Sequence, residues 1–192
     1  SLENRFEWKK SLGDPAARSG EYSTWGYRCS YGFGYHEMLQ FCEDIDAKAM
    51  FVCNVGLGCQ YRMGDASPES KIAYYLDDCM DAIEYAIGDV TTEWGAKRAA
   101  MGHPEPFNLE YLGIGNEDLI DDVFRNRFQQ IFDAVKATYP DIVVVGTVGT
   151  APSGPDYEAG WQYAREAGVP IVDEHSLSLI HISEPTRLAL IS

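Results

Sequence analysis

The chain has 192 residues, 45% hydrophobic and 23% charged, the proportions of an ordinary globular protein with room for one sizeable core. Its 15 basic against 30 acidic side chains leave a formal charge of -15, which repels phosphate backbones and anionic bilayers, so neither nucleic-acid nor membrane partners are expected. The longest apolar runs are too short to span a bilayer, and no basic-then-apolar leader opens the chain.

Between Gly34 and His175, short apolar runs alternate with longer amphipathic ones, the pattern of repeated β-α units around a parallel sheet. The spacing predicts a helix over Tyr35 to Ile45, with Met38, Leu39, Phe41 and Cys42 facing inward, then a strand from Ala49 to Val55 stopped at Gly56. Ser67 before Pro68 marks a second helix start, and Ile72, Tyr75, Leu76, Cys79, Ile83 and Ala86 follow at helical spacing until Gly88. Residues 89–108 read as a long irregular loop, a length usually kept for function, and Trp94 within it is a candidate aromatic wall for a ligand subsite or a packing anchor. A strand is predicted over Leu109 to Ile114. The next helix, Asp121 to Tyr139, carries Val123, Phe124, Phe128, Ile131, Phe132 and Val135 as its core stripe and ends at Pro140. A strand from Ile142 to Thr147, a helix from Pro155 to Ala167 closed by Gly168, and a strand from Pro170 to Val172 complete the series and lead into Asp173-Glu174-His175. All four strands are near-continuous apolar runs, as a sheet covered on both faces requires.

The five cysteines, Cys29, Cys42, Cys53, Cys59 and Cys79, include no pair at zinc-site or redox-motif spacing and read as free packing thiols. His36 and His103 have no partner at metal-ligand spacing, and Gly56-Leu57-Gly58 lacks the third glycine of a dinucleotide fingerprint. Neither a metal nor a cofactor is expected.

The second strand ends in Gly113-Ile114-Gly115-Asn116-Glu117, placing a carboxamide and a carboxylate at the carboxyl mouth of a parallel strand, where active sites of such folds lie. The two glycines allow close approach to the backbone, and Asn116 offers a hydroxyl-rich ligand both a donor and an acceptor. Glu117 suits the proton donor of a glycosidic cleavage, provided burial or a neighbouring negative charge raises its pKa. The competing role is a helix N-terminal carboxylate that complements the dipole. Asn54, at the mouth of the first strand, is either a sugar contact or the turn former before Gly56.

The runs Leu2-Glu3-Asn4-Arg5 with Trp8-Lys9, Trp25-Gly26-Tyr27-Arg28, Phe41-Cys42-Glu43-Asp44, Gly102 to Leu109 and Gly113 to Asp118 together resemble the α-L-arabinofuranosidases of glycoside hydrolase family 51, in order, from Ser1 to His175. The resemblance implies an α/β fold, a partial (β/α)8 TIM barrel comprising approximately strands three to six. It also implies a retaining enzyme releasing terminal α-L-arabinofuranosyl groups from arabinoxylan- or arabinan-type glycans. By that resemblance Glu117 is the general acid/base, Asn116 contacts a sugar hydroxyl and His175 lies near the sugar. The family's nucleophile, a Glu after strand seven, has no counterpart here. The alternatives are another retaining glycosidase with the same Asn-Glu pair, acting on xylan or glucan, and a non-catalytic sugar-binding protein. Family relatives include oligomers and both internal and exported proteins, which leaves assembly and compartment open.

From Leu177 to Arg187 the chain reads, residue for residue, as a translated transposase adapter from sequencing libraries. The expected organisation is therefore an incomplete catalytic domain over residues 1–175 and a non-native tail over 176–192, with the chain inactive alone.

Overall fold

The computed structural model describes residues 2–176. The tail reading from Leu177 onward lies outside the described residues.

Residues 2–34 form short 3-10 turns and a small antiparallel hairpin of β1 (Glu21–Tyr22) and β2 (Arg28–Cys29). Neither feature is legible in the apolar pattern, because two-residue strands show no alternation. Buried Trp8 anchors this segment: its indole N–H donates to the Asp78 carbonyl at 3.2 Å, and its ring packs against Tyr35, Tyr85 and Trp94.

Then follow α1 (Tyr35–Asp44), β3 (Ala49–Cys53), α2 (Ile72–Ile87), α3 (Glu93–Ala100), β4 (Leu109–Ile114), α4 (Asp122–Thr138), β5 (Val143–Thr147), α5 (Pro155–Ala167) and β6 (Ile171–Asp173). Strands β3 to β6 pair in sequence order, all parallel, so each strand end lies beside the next. This is the expected α/β arrangement of repeated strand-helix units. The helix ends follow their local chemistry. Asp121 accepts the Phe124 N–H at 2.9 Å to open α4, and Gly168 closes α5 in the left-handed conformation at φ 68°. Leu112 and Ile114 of β4 pack with Ile83 of α2 and with Phe124, Phe128, Ile131 and Val135 of α4 in one buried cluster. Burying side chains of this size stabilises the fold by about 1.5–3 kcal/mol each.

Four expectations need correction. The stretch from Asp89 to Asn108 is not a featureless loop: Thr92 accepts the Gly95 N–H at 3.1 Å and starts α3, a helix too short for a strong apolar period. Ser67-Pro68 does not open α2 directly, because a 3-10 turn at Glu69–Lys71 intervenes and the Ser67 hydroxyl accepts from Arg127 instead. Met38, Phe41 and Val123 are 41%, 52% and 42% exposed, so the inward stripes of α1 and α4 are narrower than predicted. Strand β3 alternates rather than being buried throughout, with Met50 and Val52 open on one face of the described sheet.

Candidate active site

The sheet carries its polar groups at one end, the carboxyl ends of the parallel strands. Asn54 follows β3, Asn116 to Asp118 follow β4, Thr147 ends β5, and Asp173 to His175 end β6. Gly115 makes the turn out of β4: its φ is +80°, and a Cβ there would stand 2.4 Å from Asp118 Oδ2 and 2.9 Å from the Phe124 ring, so only glycine fits. The close approach inferred from that glycine is thus made by the protein's own side chains. The chain then places Glu117 at φ +55°, a left-handed conformation that opposes L residues and that structures retain where the site requires it.

Each oxygen of the Glu117 carboxylate faces a donor from a different strand end. His175 Nδ1, beyond β6, lies 2.9 Å from Oε1, and Cys59 Sγ, beyond β3, lies 3.3 Å from Oε2. The other ring nitrogen of His175 is 3.2 Å from Asp173 Oδ2. With a carboxylate at each nitrogen, the ring can donate from both only as the imidazolium. Burial draws the His175 pKa down, but the bonds to Glu117 and Asp173 outweigh it and the value lies above that of ordinary histidine.

The same contact corrects the expectation for Glu117. The His175 bond, opposed by burial and aided by the Cys59 thiol, holds the carboxyl below the usual range rather than above it. No neighbouring negative charge outweighs these donors here. The raised carboxyl is instead the next residue. Asp118 is 2% exposed, and burial lifts its pKa to about 7, a rise tempered by the Asn116 N–H at 2.9 Å and reinforced by the negative charges of Asp156, Asp121 and Glu117.

Glu117 and His175 are thus brought together, and Asn116 stands exposed at the same mouth. A cavity of about 360 Å3 beside them is lined in part by Phe51, Asn54, Cys59, Asn116 and Asp118. Asn54 spends its polar groups on its own turn: Oδ1 accepts from the Gly56 and Leu57 N–H groups at 2.6 and 3.2 Å, and Nδ2 donates to the Leu57 carbonyl at 3.0 Å. Trp94, either a subsite wall or a packing anchor from its sequence, does not line this cavity and packs as an anchor. It lies in α3, 4.9 Å from the Trp8 ring, with Lys97 Nζ 3.4 Å and Lys9 Nζ 5.0 Å from its centroid.

Three groups at the site were not singled out from the sequence. Cys59 read as a packing thiol, a role that buried Cys53 and Cys79 do fill. Asp118 stood in the sequence only as the last residue of the Gly113 to Asp118 run, and Asp173 only as the residue after the last predicted strand. The spacing of the Asn-Glu-Asp run held a signal for Asp118, since a carboxylate two residues after Asn116 can cap its N–H. Nothing local could have found Cys59.

Residues 1–179 match the family described as the Alpha-L-arabinofuranosidase 1 domain. The chain belongs to glycoside hydrolase family 51, the α-L-arabinofuranosidases. It is 40% identical over 171 residues to an extracellular exo-alpha-L-arabinofuranosidase of Streptomyces chartreusis, covering 88% of this chain and 21% of that protein. It is 34% identical over 161 residues to alpha-L-arabinofuranosidase 2 of Arabidopsis thaliana, covering 83% of this chain and 23% of the relative. Among solved structures, an arabinose-bound family 51 α-L-arabinofuranosidase superposes with a TM-score of 0.67 at 30% identity, covering 77% of this chain and 23% of that one. The four parallel strands and their helices are therefore part of a family 51 (β/α)8 barrel, and the chain spans less than a quarter of each of these relatives.

Proposed function

We propose that residues 1–175 form the acid/base-bearing part of the catalytic barrel of a retaining, exo-acting α-L-arabinofuranosidase, with Glu117 as its general acid/base. One observation carries this reading. Glu117 sits in a strained backbone conformation at the mouth of a central parallel strand, with both carboxylate oxygens held by donors from other strand ends. A glutamate that only complemented a helix dipole would need neither the strain nor the two donors.

In the first step, Glu117 gives its proton to the glycosidic oxygen as the bond to the arabinofuranosyl carbon breaks, while a second carboxylate bonds to that carbon. In the second, Glu117 takes a proton from the water that attacks the same carbon, freeing the sugar and regenerating the nucleophile. The second carboxylate is assigned to the part of the whole protein that this chain does not span.

The His175 imidazolium favours ionised Glu117, and the approach of a second negative carboxylate pushes its pKa back up so that it can act as an acid. When that carboxylate is consumed in the sugar bond its charge disappears. Glu117 then loses its proton readily and serves as the base. Asn116, exposed beside it, is the candidate partner for a sugar hydroxyl, and terminal arabinofuranosyl groups of arabinoxylan or arabinan are the proposed substrates.

The test uses the complete protein that contains this segment, with and without Glu117→Gln, on aryl α-L-arabinofuranosides, xylosides and glucosides and on arabino-oligosaccharides. Release of arabinose, with a loss of about 10²-fold or more on the oligosaccharides in the variant, is the expected result. Turnover confined to xylosides or glucosides, or a variant with full activity on the oligosaccharides, rejects it.

A further inference from the structure

The loop that follows β3 reaches Glu117 twice. Cys59 Sγ meets Glu117 Oε2 at 3.3 Å, and the Gln60 backbone N–H donates to the Glu117 carbonyl, also at 3.3 Å. The Gln60 side chain extends the tie by donating to the Asp118 carbonyl at 3.3 Å and to Asp156 Oδ2 at 2.8 Å. Asp156 Oδ1 in turn accepts the Ile120 N–H at 3.1 Å. The loop is braced at its base, where Leu57 pairs with Ala66 and the Gly58 N–H donates to the Asp65 carbonyl at 2.7 Å.

A glutamate carboxylate gripped at one oxygen still turns about its last bond, because that torsion has only broad, two-fold minima. A donor on the second oxygen removes this freedom. Burial and the Glu117 bond raise the Cys59 pKa, which keeps the sulfur protonated and able to donate at neutral pH. We infer that Cys59 is a positioning residue for the acid/base: its thiol, opposite His175, fixes the plane of the Glu117 carboxylate so that proton transfer to the leaving oxygen is aligned. This rests on the acid/base reading of Glu117 proposed above.

Alignment of a general acid matters most where the leaving group must be protonated and least where it departs as a stable anion. The experiment compares the complete enzyme with Cys59→Ala, Cys59→Ser and Glu117→Gln. It reads kcat/KM on arabino-oligosaccharides and on dinitrophenyl α-L-arabinofuranoside, with thermal unfolding as the folding control. Cys59→Ala is expected to lose about tenfold on the oligosaccharides and less than about twofold on the dinitrophenyl glycoside, and Cys59→Ser, which restores a donor, to recover most of the loss. Equal losses on both substrates, no loss on either, or no recovery by serine overturns the inference. Glu117→Gln separates the two readings, since a loss that ignores the leaving group in that variant rejects the acid/base assignment itself. Should Cys59→Ala fail to fold, Cys59→Val against Cys59→Ser makes the same comparison.

Discussion

His175 Nδ1 and Glu117 Oε1 lie 2.9 Å apart across strand β5, joining the ends of β6 and β4. Both side chains are about four-fifths buried, at 21% and 22% exposure, so solvent screens the pair only in part. The pair holds its members in opposite directions: His175 titrates above its ordinary value and Glu117 below.

Stability should therefore depend on pH from both sides. The raised His175 pKa contributes stability that is complete below its unfolded value, about 6.5, and is lost as pH rises through the folded value. The lowered Glu117 pKa contributes stability that is complete above its unfolded value, about 4.3, and is lost as pH falls through the folded value. The difference in denaturation midpoint between the wild-type chain and Glu117→Gln should peak between about pH 4.3 and 6.5 and shrink on either side. A difference that does not change with pH would show that the pair is not ionised.

The chain by itself is expected to show no hydrolysis of arabino-oligosaccharides at neutral pH. Its candidate acid is not raised: the His175 bond holds the Glu117 carboxyl below its ordinary range, so at neutral pH it has no proton to give. Arabinose release assayed on the purified 192-residue chain checks this, and release abolished by Glu117→Gln would contradict it.

The backbone at Glu117 gives a prediction independent of catalysis. At φ +55°, replacing the side chain by glycine removes the conflict between Cβ and backbone, whereas alanine keeps it. Both variants lose the His175 and Cys59 contacts equally. Glu117→Gly should thus be more stable than Glu117→Ala by about 1 kcal/mol in urea unfolding. Equal stabilities would mean that the turn relaxes to another conformation.

Arg127 of α4 ties the active-site loops to the helix layer. Its guanidinium donates to the carbonyls of Val55, Gly56 and Ser67 at 3.3, 2.8 and 2.7 Å, and the residue is 2% exposed. Arg127→Met keeps the bulk and strands those acceptors, which should destabilise the chain by about 2–4 kcal/mol. Glu69→Gln, which removes only the 59%-exposed ionic partner, should change little. Urea unfolding of both variants reads the contrast, and a similar small effect for each would assign the anchoring elsewhere.

Several elements were legible residue by residue. The bounds of β4 and α5 agree with those read from the apolar runs, and the cap at Asp121 and the stop at Gly168 lie where local chemistry puts them. That agreement reflects short-range causes: the backbone hydrogen bonds of a helix end and the period of its buried face involve residues within a few positions of each other. The Gly-Asn-Glu turn at the mouth of β4 was legible for the same reason.

The surroundings of Glu117 were not. Cys59 and His175 each stand 58 positions from it in the chain, and they meet only because parallel pairing in the order β3-β4-β5-β6 brings these strand ends together. The sign of the Glu117 pKa shift follows from that meeting, as does the burial that gives Asp118, rather than Glu117, the raised value. The sequence by itself thus determined which carboxylate stands at the mouth of β4. Only the packing of helices on the sheet, which fixes the neighbours of each strand, decided what that carboxylate faces and how it titrates.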